Sequence, residues 1–132
     1  LSGARRIGHG TRAAHDPSLL AKLAKEGVVL EVCPTSNEAL GVVPSVAAHP
    51  VRGFLEAGVP CVVSSDDPTL FDTDLLREYV RLHREVGLSL AELGRMAGTG
   101  FEVAFTGPLE AGRDLRARLE VWREEALDWS AA

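Results

Sequence analysis

The sequence predicts an α/β fold built on parallel strands. Two short apolar runs, at residues 28–32 and 59–64, each follow a glycine and lack alternation between apolar and polar residues. Strands of a parallel sheet are buried on both faces and give runs of this kind. A helical pattern precedes each run, so that helix and strand alternate along the chain. This order predicts either an open parallel sheet or a barrel.

A weak internal repeat supports the same fold class. The segments Lys-Glu-Gly-Val at residues 25–28 and Glu-Ala-Gly-Val at residues 56–59 lie 31 positions apart, and each leads into a predicted strand. Both strands end in small polar residues, at residues 34–37 and 64–67. Counting back along the chain predicts an earlier, very short strand at residues 6–8.

Capping residues place the first two helices. Asp16 can cap the first helix, Pro17 suits its first turn, and Gly27 ends it. A shorter helix of about two turns is predicted from near Pro50 to Gly58, directly before the second apolar run.

The sequence beyond residue 70 is predicted to be helical. Gly87 closes one helix, and Ser89 with Glu92 forms the capping box of the next. Residues 101–105 are predicted to add a helical turn, and Pro108 to precede a long charged helix. Helical spacing predicts one apolar face before Gly87, made of Leu75, Leu76, Tyr79, Val80, His83 and Val86.

Composition is typical of one globular domain. The chain has 132 residues, 45% hydrophobic and 25% charged, and no linker interrupts it. The net charge of -5 argues against nucleic-acid binding, and no apolar run is long enough to span a membrane. Two cysteines in apolar runs indicate a reducing, cytoplasmic setting. The first residue is Leu1 rather than methionine, which weakly supports a fragment.

The polar residues that follow the strands are the candidate site. Because the carboxyl ends of parallel strands meet at one face, we expect His9, residues 35–37, Asp66 and Asp67 to converge there. Adjacent carboxylates after a buried strand are costly unless a metal, hydrogen bonds or a substrate offset the cost. One of them could bind a metal while the other faces a substrate. Alternatively, one or both could cap a following helix with Pro68 in its first turn.

The other candidate residues each have a structural alternative. His9, between two glycines, could polarise a water molecule or could simply occupy a turn. Glu31 lies within a strand, where its carboxylate is either functional or directed outward between two helices. Cys33 has no basic neighbour in the sequence, which favours a buried structural thiol. His15 and His49 are interpreted as helix-entry residues, and His83 as structural.

Five segments form a recognisable set in their order and spacing. They are residues 6–10 (Arg-Ile-Gly-His-Gly), 30–37 (Leu-Glu-Val-Cys-Pro-Thr-Ser-Asn), 49–50, 64–68 (Ser-Ser-Asp-Asp-Pro) and 101–105. Each segment alone is weak evidence, whereas their common order and spacing are specific. From about residue 5 to about residue 126, the chain resembles the C-terminal half of the adenosine deaminase family, whose members are zinc-dependent aminohydrolases built on a (β/α)8 TIM barrel.

The resemblance implies a role for three residues. His9 matches the histidine that ends the sixth strand and orients the hydroxide bound to the metal. Asp66 matches the zinc-ligating aspartate that ends the eighth strand, and Asp67 matches the neighbouring aspartate that hydrogen-bonds the purine ring. The implied reaction is zinc-dependent hydrolytic deamination of adenosine or a related 6-aminopurine nucleoside or base.

The resemblance also implies that part of the enzyme is absent from these 132 residues. The family's His-x-His zinc ligands and its His-Ala-Gly-Glu segment do not occur in the sequence. We therefore expect residues 1–132 to form a partial barrel, about strands 6 to 8 plus the C-terminal helices, that is inactive alone. Such a chain is expected to self-associate or to pair with the missing N-terminal half. The alternatives are a non-catalytic interaction or structural remnant, and a deaminase for another purine such as adenine, an aminofutalosine-type nucleoside or a methylated adenosine.

Overall fold

A computed structural model describes residues 3–104 of the chain, and within them strands and helices alternate. The predictions that concern Phe105 and the long helix after Pro108 lie outside the described residues. The strands are β1 (Arg6–Gly8), β2 (Val29–Val32) and β3 (Cys61–Val63). The helices are α1 (Pro17–Glu26), α2 (Pro34–Ala39), α3 (Val51–Glu56), α4 (Leu75–Arg81) and α5 (Leu90–Val103).

The three strands form one parallel sheet in the order β1, β2, β3. Ile7 pairs with Leu30, and Leu30 pairs with Cys61 on the next strand. All three predicted strands are therefore confirmed, and so is the parallel α/β fold. Because the strands run in the same direction, the residues that follow each of them meet at one edge of the sheet.

Local sequence signals explain where the helices begin and end. The Asp16 carboxylate accepts hydrogen bonds from the backbone amides of Ser18 and Leu19, and Gly27 ends α1 in the left-handed region at φ 64°. Ser89 and Glu92 form the predicted capping box of α5. That helix continues without a break through Val103, so the predicted extra turn belongs to it.

The core lies between the sheet and the helices. Leu30 and Val32 point to one side of β2 and are fully buried, whereas Glu31 between them is half-buried. Burying one such aliphatic side chain contributes about 1.5–3 kcal/mol, before the entropy of ordering it is subtracted. Other core members without exposed surface are Val51, Phe54, Leu82 and Leu88.

The predicted apolar face before Gly87 is wrong at four of its six positions. Only Tyr79 and Val86 pack against the core. Leu75, Leu76, Val80 and His83 are exposed, while Glu78 and Leu82 are buried. The helix turns Glu78 inward because its carboxylate finds hydrogen-bond donors in two other segments. A buried carboxylate that accepts one hydrogen bond on each oxygen takes the place of the leucines that the periodicity favoured.

Short helical segments also went unpredicted. The α2 helix occupies residues that the sequence suggested only as a polar strand end, and 3₁₀ turns cover Thr11–His15 and Val46–Ala48. A π-helical turn at Leu82–Val86 continues α4 as far as Gly87. Within residues 3–104, no helix is both long enough and apolar enough to cross a membrane.

Candidate functional site

Three segments meet at the carboxyl edge of the sheet. His9 follows β1, Ser36 and Asn37 lie in α2 directly after β2, and Asp66 follows β3. Hydrogen bonds join Asn37 to His9 and Ser36 to Asp66, which confirms the predicted convergence of these segments.

The backbone is strained at two of these positions. His9 and Asp66 have φ values of 58° and 57°, in the left-handed region that residues with a Cβ seldom adopt. Holding a residue there costs on the order of 1–3 kcal/mol. Both residues directly follow the strands, and their side chains approach one another beyond the sheet.

Asp66 is held by its neighbours through both side chain and backbone. Its Oδ2 atom accepts a hydrogen bond of 2.6 Å from the Ser36 hydroxyl, and its backbone amide donates to Ser64 Oγ at 3.2 Å. The same Oδ2 atom lies 3.8 Å from His9 Nε2. The carboxylate and the imidazole therefore face one another at the solvent-accessible edge of the sheet.

The opposite side of the His9 ring is bound by a buried polar pair. His9 Nδ1 lies 3.0 Å from Asn37 Nδ2, and Asn37 Oδ1 lies 3.1 Å from His49 Nε2. His49 Nδ1 in turn accepts a hydrogen bond from the Val51 amide at 3.1 Å. Asn37 and His49 are only 1% and 4% exposed.

His49 therefore does more than the sequence predicted. It does cap the entry to α3, as a helix-entry residue would, but its other nitrogen reaches the candidate site. Burial, together with the charge of His9, lowers the pKa of His49 to about 4. His49 is consequently neutral at pH 7. The only sequence signal for this role was its presence among the segments that resemble the family.

Cys33 lies beside the site as a protonated thiol. Its Sγ atom, a His9 ring nitrogen and an Asp66 oxygen lie within 4.8 Å of one another, as ligands of one metal ion would. Burial raises the pKa of Cys33 to about 11, and only a thiolate binds metal well. This environment agrees with the structural thiol expected from the sequence.

The chemistry of the donors fits one side of a zinc site. A carboxylate oxygen is a common zinc ligand, and Asp66 presents one at the edge of the sheet, with the His9 imidazole 3.8 Å away on the same side. A catalytic zinc uses three protein ligands and leaves one position for water. The described residues therefore provide part of such a site.

Asp67 turns away from this pair and organises the loop that follows. Its Oδ1 atom accepts a hydrogen bond of 2.9 Å from the Leu70 amide, and its carbonyl accepts one from Phe71. Asp67 thus accepts a backbone hydrogen bond as the capping alternative predicted, although the segment after Pro68 is a turn and not a helix. Asp67 remains exposed, and its contact with a substrate stays a prediction.

Glu31 has a structural partner. Its carboxylate lies 2.8 Å from the guanidinium of Arg6 on the neighbouring strand. Arg6 also donates to the carbonyl of Val103 at the end of α5. This arrangement favours the outward-facing alternative, in which Glu31 joins the sheet to a helix.

A buried carboxylate supports the site from behind. Glu78 accepts hydrogen bonds from the Thr35 amide at 3.0 Å and from the Thr73 hydroxyl at 2.6 Å. Arg81, one turn later, pairs with Glu38 at 2.7 Å. Together these contacts fix α2, which carries Ser36 and Asn37. Local sequence patterns do not indicate the Thr35–Glu78 and Glu38–Arg81 contacts, because each of the two joins residues 43 positions apart.

Comparison with known proteins agrees with this geometry. Residues 1–122 match the family model described as adenosine deaminase. Over 114 residues the chain is 51% identical to an adenine deaminase of Rhizobium leguminosarum bv. trifolii, covering 86% of this chain and 35% of that protein. It is 49% identical over 102 residues to an aminodeoxyfutalosine deaminase of Streptomyces coelicolor, covering 77% of this chain and 26% of the relative.

A solved structure shows the same fold. An amidohydrolase from Burkholderia ambifaria with bound zinc superposes with a TM-score of 0.82 and 25% identity, over 96% of this chain and 35% of that one. The chain thus spans about a third of the length of these proteins. The family match over residues 1–122, which includes every residue of the site, shows that the chain belongs to the adenosine deaminase family.

Proposed function

We propose that the protein carrying this chain hydrolytically deaminates a 6-aminopurine at a zinc site. The observation that supports this most directly is the approach of His9 Nε2 to Asp66 Oδ2, at 3.8 Å, beyond the carboxyl ends of parallel strands. Ligands bind at this edge in parallel α/β folds. In the reaction, a C–O bond forms at the carbon bearing the amine, the C–N bond breaks, and ammonia leaves.

The residues of the chain have distinct roles in this proposal. Asp66 is a zinc ligand, and Ser36 holds its Oδ2 atom in place. Zinc, when bound, activates a water molecule by lowering its pKa toward neutrality. His9 orients that water from beside the carboxylate, and Asp67 hydrogen-bonds the purine ring. The remaining zinc ligands and the acid that protonates the ring come from elsewhere in the protein.

The relatives suggest two kinds of substrate. One of them is named for adenine and the other for aminodeoxyfutalosine, so the free base and a nucleoside are both reasonable substrates. Both share the aminated six-membered ring that Asp67 would contact. Adenosine and methylated adenosines complete the set of compounds to be compared.

We also propose that residues 1–132 form the C-terminal part of a (β/α)8 barrel. In this arrangement β1 to β3 are the sixth to eighth strands, and the outer edges of β1 and β3 pair with the other strands. Both free thiols are buried, which suits a reducing compartment such as the cytoplasm.

A chimera tests the proposed function. The N-terminal two thirds of the Rhizobium relative are joined to this chain, which replaces the matching segment. The chimera is expected to bind zinc and release ammonia from adenine or another 6-aminopurine, whereas the 132-residue chain alone does neither. A folded, zinc-loaded chimera that deaminates none of these compounds would contradict the enzyme assignment and favour a non-catalytic interaction module.

Substitutions in the chimera test the individual roles. Asp66→Asn is expected to remove both zinc and activity, whereas Asp72→Asn, in an exposed carboxylate of the same loop, should change neither. Asp67→Asn should keep the zinc and lower kcat/KM by about 10- to 100-fold, as expected for losing a hydrogen bond to a charged group. Metal analysis together with ammonia release separates these outcomes.

A further inference from the structure

The hydrogen bonds behind His9 form a chain whose direction is fixed at one end. Its first donor is the backbone amide of Val51, which can only donate, so His49 Nδ1 must accept. A neutral histidine carries one ring proton, and with Nδ1 accepting, that proton lies on His49 Nε2. His49 is neutral at pH 7 because burial lowers its pKa to about 4.

The direction passes from His49 through Asn37 to His9. His49 Nε2–H donates to Asn37 Oδ1 at 3.1 Å, which fixes the orientation of the side-chain amide. The NH2 group of Asn37 must then face His9, and it donates to His9 Nδ1 at 3.0 Å. With Nδ1 accepting this hydrogen bond, the His9 ring carries its proton on Nε2, the atom that lies 3.8 Å from Asp66 Oδ2.

We propose that Asn37 and His49 are positioning residues that hold His9 in the Nε2–H form, with that N–H directed at the space beside Asp66. Only the role of the His9 N–H in catalysis rests on the proposed function. The tautomer itself can be measured without substrate, zinc or catalysis.

Burial lets this chain of hydrogen bonds favour one tautomer of His9. Asn37 and His49 are almost inaccessible to water, so water cannot replace a lost partner without cost. Asn37 is also the only side-chain amide among the 132 residues, since the sequence contains no other asparagine and no glutamine. An amide accepts through one atom and donates through another in fixed directions, and unlike an imidazole it cannot exchange the two roles by moving a proton. A carboxylate of the same shape would accept on both sides.

Isosteric exchanges on the two sides of the His9 ring separate this proposal from its main rival, in which Asp66 alone sets the tautomer. Asn37→Asp places an acceptor opposite His9 Nδ1 and should move a proton onto that atom. Asp66→Asn removes the charge opposite Nε2 and should leave Nδ1 unprotonated. If Asp66 alone set the tautomer, the responses of the two variants would be reversed.

Nitrogen NMR of the uniformly 15N-labelled 132-residue chain at pH 7 provides the readout. We expect an unprotonated, pyridine-type signal for Nδ1 of both His9 and His49, and a coupling across the hydrogen bond between Asn37 Nδ2 and His9 Nδ1. With four histidines and a single asparagine, single His→Gln substitutions assign every signal. A protonated Nδ1 on neutral His9, or an unchanged His9 tautomer in Asn37→Asp, would overturn the proposal.

Kinetics of the zinc-loaded chimera supply a second, separate readout. Asn37→Asp should lower kcat by about 10²- to 10⁴-fold, the range for a mispositioned proton-transfer group, with little change in KM. Equal changes in KM and kcat, or none, would assign Asn37 to folding alone. An inactive parent chimera would contradict the proposed function and leave the NMR result standing.

Discussion

At the scale of single residues, the two glycines beside His9 serve different physical purposes. Gly10 has a φ of 67°, and a Cβ placed on it would lie 2.7 Å from Leu30 Cδ2 in the core. Gly8 ends β1, and a Cβ there would meet no atom within 4 Å. Gly10 therefore allows the chain after His9 to pass directly over the core, whereas a side chain at Gly8 would meet no packing obstacle.

Replacing Gly10 by alanine is expected to destabilise the fold more than the same change at Gly27. Both positions are left-handed, which costs alanine about 1–2 kcal/mol. Only Gly10 adds overpacking against Leu30, worth about 1–3 kcal/mol more. Urea unfolding monitored by circular dichroism measures the difference, and equal losses for the two variants would contradict the packing argument.

The buried His49 predicts a loss of stability in mild acid. Its pKa falls from 6.5 to about 4 on folding, so below pH 6.5 the unfolded chain binds a proton that the folded chain excludes. Stability from this residue is complete above pH 6.5 and is lost as the pH falls toward 4, at about 1.4 kcal/mol per pH unit.

The measurement is the free energy of unfolding of the wild type and of His49→Gln at pH 7.5 and pH 5. The wild type should lose about 2 kcal/mol more than the variant over this interval, because the variant lacks the group that titrates. His15→Gln changes an exposed histidine. This variant should lose as much free energy of unfolding between pH 7.5 and pH 5 as the wild type does. A wild type and His49→Gln with the same pH dependence would rule out the buried neutral ring as the cause.

At the scale of elements, α2 depends on a cap from another helix. Its own N-cap residue, Cys33, makes no side-chain capping bond, and Glu78 of α4 instead accepts from the Thr35 amide in the first turn. Negative charge at a helix N-terminus is favourable both as a hydrogen-bond acceptor and toward the helix dipole. Because α2 carries Ser36 and Asn37, this remote carboxylate also positions the site.

Glu78→Gln is expected to lower the free energy of unfolding by about 1–3 kcal/mol. The amide accepts through one atom only, so either the Thr35 amide or the Thr73 hydroxyl loses its carboxylate acceptor. Glu26→Gln, in an exposed residue paired loosely with Lys22 at 3.9 Å, should cost less than about 0.5 kcal/mol. Chemical denaturation compares the two, and similar losses would contradict the role of Glu78 as a cap.

At the scale of the whole molecule, the described sheet has two outer edges. The order β1, β2, β3 leaves the outer sides of β1 and β3 without a paired strand within residues 3–104. Unpaired edges are sites at which further strands add. Several leucines in the same part of the chain are also exposed, at Leu40, Leu70, Leu76 and Leu90.

We therefore expect the 132-residue chain to associate in solution. Light scattering should give a mass above that of the 14.1 kDa monomer. Adding the N-terminal two thirds of the Rhizobium relative should convert the assemblies into a one-to-one complex, because those strands compete for the same edges. A stable monomer that does not bind the added segment would contradict pairing through the sheet edges.

Local chemistry made much of this fold predictable. The α1 helix follows from Asp16, Pro17 and Gly27, whose effects on the backbone act within one turn of the chain. The three strands follow from apolar runs, and their parallel order from the alternation with helices. That order also placed His9 and Asp66 at one edge before any distance was known, because it depends only on strand direction.

Long-range contacts decided the rest. Glu78 displaced the expected leucines from the buried face of α4, because donors from Thr35 and Thr73 offset the cost of burying its charge. Asn37 and His49 joined the site through hydrogen bonds to groups 28 and 12 positions away. The sequence by itself determined the strands, the helices other than α2, their order and the edge where the chemistry lies, since these depend on neighbours in the chain. Only the tertiary structure decided which polar groups pair, since burial makes pairing obligatory and depends on every segment at once.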